Sequence, residues 1–202
     1  MKKLVLILVA GVSFATAHAQ IQFGVKAGAN LATVTGSDAT GASTMVNFNA
    51  GVFAKIPFAE SLSFSPELVY SGQGAKYDES GVSGSQHLNY LNVPLLVKYT
   101  HSSGFSFATG PQVGFLMSAK AKVQGVTQDD KNAYNSTEFA WDFGVGYDIP
   151  QTQLGIELRY DLGISNIENN GSNSGNSGNS TGKLHNSVFQ LGLRYTLFGA
   201  KK

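Results

Sequence analysis

The sequence predicts an all-β chain, an eight-stranded antiparallel up-and-down transmembrane β-barrel. Three observations lead there. Apolar residues recur at every second position through eight segments. Short turns and long polar stretches alternate between those segments. The apolar faces carry no charge, while the opposite faces carry nine. A period of two is what a strand imposes, because successive side chains leave opposite sides of the backbone.

The chain has 202 residues with 24 Gly, no Cys, 42% hydrophobic and 13% charged residues, and a net charge of +1. That charged fraction is about half the roughly 25% of an ordinary soluble domain. A balance so close to neutral excludes a general nucleic-acid-binding surface, which needs an excess of Lys and Arg. The lack of Cys excludes a disulfide framework and thiolate metal sites.

Residues 1–19 read as a cleaved signal peptide. Lys2 and Lys3 form a positive start, Leu4 to Val12 an uncharged apolar run, and Ala17-His18-Ala19 a small-x-small cleavage site. Cleavage between Ala19 and Gln20 leaves residues 20–202 as a single barrel domain. The apolar run is too short for a retained helix, which needs about 20 such residues.

The strands follow in order. Ile21, Phe23, Val25, Ala27, Ala29 and Leu31 alternate with Gln22, Gly24, Lys26, Gly28 and Asn30. Val46, Phe48, Ala50, Val52, Ala54, Ile56 and Phe58 alternate with a face holding Asn47, Asn49 and Lys55. The third segment sets Leu62, Phe64, Pro66, Leu68 and Tyr70 against Ser63, Ser65, Glu67 and Ser71. The fourth sets Leu91, Val93, Leu95, Val97 and Tyr99 against Asn92 and Lys98. In the fifth, Phe105, Phe107, Val113, Phe115 and Met117 oppose Ser106, Gly110, Gln112 and Gly114. The sixth opposes Phe139, Trp141, Phe143, Val145 and Tyr147 to Asp142, Gly144 and Gly146. The seventh opposes Leu154, Ile156, Leu158, Tyr160, Leu162 and Ile164 to Glu157, Arg159 and Asp161. The last opposes Phe189, Leu191, Leu193, Tyr195 and Leu197 to Gln190, Arg194 and Thr196. At about 10–12 residues each they exceed the usual soluble strand and match a tilted membrane crossing.

Ala59–Ser61, His101–Gly104 and Pro150–Gln153 are tight turns. Thr33–Met45, Lys76–Gln86, Ala119–Thr137 and Ile167–Lys183 are expected to be long loops, the last a tract rich in Gly, Ser and Asn. Short turns on one side and long loops on the other are the layout of an outer-membrane barrel.

Alternation alone does not separate such a barrel from a soluble carrier with an apolar interior. The complete absence of charge from the apolar face points to lipid, where Lys or Arg costs about 2–4 kcal/mol at the midplane. The polar face is rich in glycine, as suits an eight-stranded lumen only just wide enough for side chains. Aromatic residues gather near strand ends, Phe23, Phe58, Tyr99, Phe105, Tyr147 and Tyr195 at one end. Phe48, Tyr70, Phe115, Phe139, Trp141, Tyr160 and Phe189 gather towards the other, as two interfacial girdles.

The lumen is then expected to hold Lys26, Lys55, Lys98, Arg159 and Arg194 with Glu67, Asp142, Glu157 and Asp161. Buried charges must pair, since an isolated one costs several kcal/mol. This network reads as a polar plug rather than a conduction path.

Tyr90–Tyr99 (YLNVPLLVKY), the turn after it and Gly110–Leu116 (GPQVGFL) resemble the hallmark segments of the outer-membrane β-barrel domain family typical of Bacteroidetes, the PorT-like group. The closing strand from Phe189 to Phe198 resembles the aromatic-ending insertion signal of such barrels. The resemblance implies an OmpA- or OmpX-like eight-stranded, multi-pass barrel in a Gram-negative outer membrane, with both termini periplasmic. It implies no common activity.

No catalytic, cofactor-binding or metal site is expected. His87 and His185 fall at the loop end and His101 in a short turn; Ser83, Ser85, Ser187 and Glu138 are candidate partners without a motif that demands a triad. Asp129-Asp130 lacks the spaced ligands of a calcium loop. The sequons at Asn135 and Asn179 mark polar loops. The expected role is structural or surface-interacting, through four long extracellular loops, with no enzymatic activity and no cofactor. The alternatives are a membrane-embedded hydrolase of lipid A or peptides and a secretion accessory. Expected partners are outer-membrane lipids including lipopolysaccharide, the barrel-insertion machinery, and extracellular or envelope proteins met by the loops, with no nucleic acid.

Overall fold

The computed structural model describes residues 21–37, 39, 41–79, 82–169 and 183–199. The expected signal peptide, its expected cleavage point between Ala19 and Gln20, most of the Gly/Ser/Asn tract and the Asn179 sequon lie outside the described residues. Ten strands follow in order: β1 (Gln22–Gly36), β2 (Ala42–Ser43), β3 (Met45–Pro57), β4 (Leu62–Glu79), β5 (Val82–Thr100), β6 (Phe105–Val123), β7 (Val126–Asp129), β8 (Thr137–Asp148), β9 (Leu154–Gly163) and β10 (Leu184–Phe198). A 3-10 turn, Lys131–Ala133, separates β7 from β8.

Eight long strands form a closed antiparallel ring. Each pairs with its sequence neighbour, and β10 returns to β1 in a ladder running from Phe23↔Phe198 to Gly36↔Leu184. Closure removes the free edges that an open sheet would present, and it is what allows a sheet to satisfy its backbone in lipid. β2 and β7 are short additions on β4 and β6.

The wall is apolar outside and polar inside. Phe143, Leu158 and Leu193 are 50%, 48% and 58% exposed, whereas Lys26 and Arg194 are 4% and 6% exposed. A soluble carrier would show the reverse. The aromatic rings of both ends, Phe48, Phe105, Phe139 and Phe189 among them, also face outward.

Hairpins extend further than alternation of apolar residues indicates. The expected loop Lys76–Gln86 is instead a continuation of the β4–β5 ladder, with Lys76↔Ser85 and Tyr77↔Gly84 in register. β1 runs on to Gly36, and the expected loop after Ala119 begins with β6 continuing to Val123 and folding back as β7. Once above the lipid, a strand no longer needs an apolar outer face, so its sequence loses the period that marks it.

The segments Tyr90–Tyr99 and Gly110–Leu116 face one another across the β5–β6 hairpin. Asn92↔Gly114, Val93↔Val113 and Pro94↔Gln112 are partners. A Cβ on Gly114 would press on the Asn92 side-chain oxygen, and one on Gly110 would strike the Leu95 carbonyl. The glycines thus set how closely the two strands and their lumenal side chains pack.

Candidate functional site

The lumen is built in layers, starting with a charged core. Lys26 on β1 reaches Glu67 Oε2 at 2.9 Å and Glu157 Oε1 at 2.7 Å. Arg159 donates to both Glu67 oxygens, at 3.0 and 2.9 Å, and to Glu157 Oε1 at 2.7 Å. Asp142 Oδ2 lies 3.5 Å from Arg159 Nη1. Four strands therefore converge on one cluster. The sequence makes room for it: Gly51 stands beside Lys26, Gly144 beside Arg159, and Gly146 and Gly192 flank Glu157. Large charged chains and absent side chains alternate around the ring, which fills the lumen.

At the short-turn end, Lys98, Lys55 and Arg194 gather on Asp148, at 3.2, 3.6 and 4.0 Å. The Arg194 guanidinium also lies over the Phe53 ring, 4.2 Å from its centroid, a cation–π contact. A Cβ on Gly24 would collide with that same ring and with the Tyr195 carbonyl. Asp148 does not stand out in the sequence because it ends its strand, outside the alternating run. Glu138, placed at the mouth by the sequence, is instead 2% exposed inside the barrel and accepts from Asn186 Nδ2 at 3.0 Å. These two carboxylates raise the lumenal anions to more than the four the alternation supplies.

Above the charged core comes a layer of amides and hydroxyls. Asn49 donates to Asn30 Oδ1 at 2.6 Å, Asn30 donates to Ser71 Oγ at 3.0 Å, and Gln190 donates to Asp161 Oδ2 at 2.6 Å. Over these lies an apolar cap. Val34, Ala75, Leu88, Tyr90, Leu116, Ala119, Ile167 and Leu184 form one buried cluster inside the strand extensions, with Tyr77 and Tyr134 packed against it. The third and fourth loops join over it: Asn135 Nδ2 donates to the carbonyls of Asn166 and Glu168 at 2.9 and 3.0 Å. Burial of the Tyr134 hydroxyl pushes its pKa up, so it stays neutral there.

The structure does not assemble the candidate triad residues. His87 Nε2 is 3.2 Å from Ser85 Oγ on the outer wall, His185 Nδ1 sits 2.9 Å from the Ser165 carbonyl, and His101 Nδ1 lies 2.8 Å from Ser103 Oγ in its turn. None of these rings has a hydrogen-bonded carboxylate among the described residues. Ser187 Oγ is taken up by the Tyr160 hydroxyl at 3.0 Å, and Ser83 is exposed. Asp129 accepts from the Lys131 backbone N–H at 3.1 Å, a local turn contact. No cluster of metal-ligating side chains occurs among the described residues.

A family model described as the outer membrane protein beta-barrel domain matches residues 14–169. No curated protein sequence matches the chain. Among solved structures, Ail, the attachment invasion locus protein of Yersinia pestis, aligns with a TM-score of 0.51 at 14% identity, over 87% of this chain and 98% of Ail. Ail in complex with the heparin analogue sucrose octasulfate aligns with a TM-score of 0.50 at 14% identity, over 88% and 99%. Neisserial surface protein A aligns with a TM-score of 0.49 at 15% identity, over 87% and 97%. At these identities the likeness is one of fold.

Proposed function

This chain belongs to the outer-membrane protein β-barrel domain family, and from that premise we propose that it is a non-enzymatic protein of a Gram-negative outer membrane whose working surface is its loop end. One observation carries the reading. The lumen is occupied by the Lys26–Glu67–Glu157–Arg159 cluster and closed by the cap around Leu88 and Tyr90. Paired charges across the lumen under an apolar cap argue against a solute path through the barrel. The polar surface left for recognition is the loop end, where rigid strands display it.

In this reading the short turns and both termini face the periplasm, and the extensions of β4, β5 and β6 stand outside the cell. The segments Tyr90–Tyr99 and Gly110–Leu116 support a place in the PorT-like group of Bacteroidetes. The words attachment and heparin analogue describe Ail; the shared fold lends this chain a rigid display platform and no ligand.

Trypsin applied to intact cells tests the orientation. Cleavage is expected between Lys120 and Lys131, with a tag after Lys202 protected; cleavage of the tag alone would overturn it. Heat-modifiable migration in the outer-membrane fraction is expected alongside. Lipid A and peptide substrates should remain intact with the pure protein. Turnover that disappears in the His87→Ala, His185→Ala double variant would establish the hydrolase instead. Exported proteins stalled in the periplasm on gene deletion would establish the secretion accessory.

A further inference from the structure

Strict alternation along β6 would turn Lys120 and Lys122 inward. Leu116 faces the cap, so parity alone would send residues 118, 120 and 122 after it. The ladder breaks at one point: Tyr90 pairs with Leu116, but Asn89 pairs with Ser118, leaving Met117 without a partner. One extra residue resets the phase of the strand. Ala119 becomes fully buried, while Lys120 and Lys122 are exposed on the outer wall. Two contacts hold the bulge: Asn89 Nδ2 to Ser118 Oγ at 2.9 Å, and Lys131 Nζ to the Met117 carbonyl at 3.2 Å.

The reset completes a basic surface. In register, Lys76 and Lys122 flank Ser85, and Lys120 stands beside His87. His87 and Ser85 are in hydrogen-bond contact at 3.2 Å. With strands about 4.8 Å apart, the backbones of Lys76 and Lys122 stand roughly 10 Å apart across Ser85, with Lys120 two residues lower on the same face. Asp129, the cross-strand neighbour of Lys120, is the one carboxylate that the register places beside these lysines among the side chains described. On the β1–β10 pair the rows of Thr33 with Ser187 and Thr35 with His185 carry no Lys, Arg, Asp or Glu.

Position supplies the occupant. The same outward column carries Tyr70, Leu91 and Phe115 lower on the three strands. Lys120 lies five residues, and Lys76 six, beyond the aromatic residue of its own strand. At about 3.3 Å per residue and a tilt near 40° the backbone here stands roughly 12–15 Å above the aromatic girdle, just beyond the headgroup layer, and lysine side chains on the outer face are long enough to reach down towards the polar heads. We propose that Lys76, Lys120 and Lys122, with Ser85 and His87, bind the phosphate groups of the phosphorylated glycolipid in the outer leaflet. Ammonium groups take phosphate as point charges, and the hydroxyl and imidazole add hydrogen bonds. This rests on the loop end facing outward.

The test uses the full mature barrel in neutral detergent, with bis-phosphorylated lipid A, dephosphorylated lipid A and inorganic phosphate as probes for titration calorimetry. Phosphorylated lipid A is expected to bind, and K76Q/K120Q/K122Q to lose about tenfold or more in affinity. Lys183→Gln, away from the patch, should leave affinity unchanged. Heat-modifiability checks the fold of the triple variant, and Lys76→Gln alone, on an exposed strand position, should still weaken binding severalfold if the triple variant fails to fold. Equal affinity for dephosphorylated lipid A, unchanged binding in the lysine variants, or inorganic phosphate binding as tightly as the lipid would each overturn the site. Binding in detergent does not depend on which way the barrel inserts, so this result and the trypsin result fail separately.

Discussion

Arg159 holds Glu67 in a two-pronged grip, Nη1 to Oε2 at 3.0 Å and Nη2 to Oε1 at 2.9 Å, across the lumen and across 92 residues of sequence. Both side chains are almost fully buried. Parallel charge-assisted hydrogen bonds of this geometry are among the stronger polar contacts a protein makes. Their presence on opposite walls ties β4 to β9 through the barrel interior.

Glu67→Ala leaves the buried Arg159 and Lys26 with one fewer counter-charge, and a loss of about 3–5 kcal/mol is expected. Replacing both partners, as Glu67→Leu with Arg159→Met, should cost clearly less than the sum of the single changes. Urea unfolding of the barrel in lipid vesicles, read through Trp141, measures both. Additive losses would show that the pair is not coupled.

The plug and cap predict an electrically silent barrel. Planar bilayers containing the pure protein should show no steady open-channel conductance. Long-lived unit steps like those of a porin would show that water threads the Lys26–Arg159 cluster.

Gly24 lies against the Phe53 ring that carries the Arg194 guanidinium. Gly24→Val must displace that ring or bend β1, and overpacking of this kind costs about 1–3 kcal/mol. The variant should unfold at lower urea, and its unboiled form should shift towards the unfolded band in gels. Ala27→Val, on the outward face of the same strand, should have little effect.

Phe143 lies near the middle of β8 and points outward. Phe143→Arg is expected to destabilise the inserted barrel by about 2–4 kcal/mol. Val126→Arg, on the exposed β7 hairpin, should change stability by a few tenths at most. Equal effects at the two sites would contradict the placement of lipid around β8.

The outer wall and its strands are legible along the chain because lipid acts on every second residue. Ile156, Leu158 and Tyr160 must stay apolar wherever they meet hydrocarbon, and Glu157 and Arg159 must turn away from it. The strand extensions are less legible: around Lys76–Gln86 water replaces lipid, the period fades, and a paired hairpin reads as a loop. Asp148 and Glu138 share the parity of Asp142 but lie one step outside the apolar run from Phe139 to Tyr147 that marks the strand, so the alternating pattern stops just short of each.

Single residues, each answering to lipid or lumen, therefore determined the barrel class, its eight crossings and nine of the charges it carries within. Ring closure alone decided which of those charges meet, that an apolar cap roofs them, and that Met117 drops out of step so that two lysines turn outward. Strand register is a long-range quantity, set by partners as distant in sequence as Phe23 and Phe198, and no local pattern encodes it.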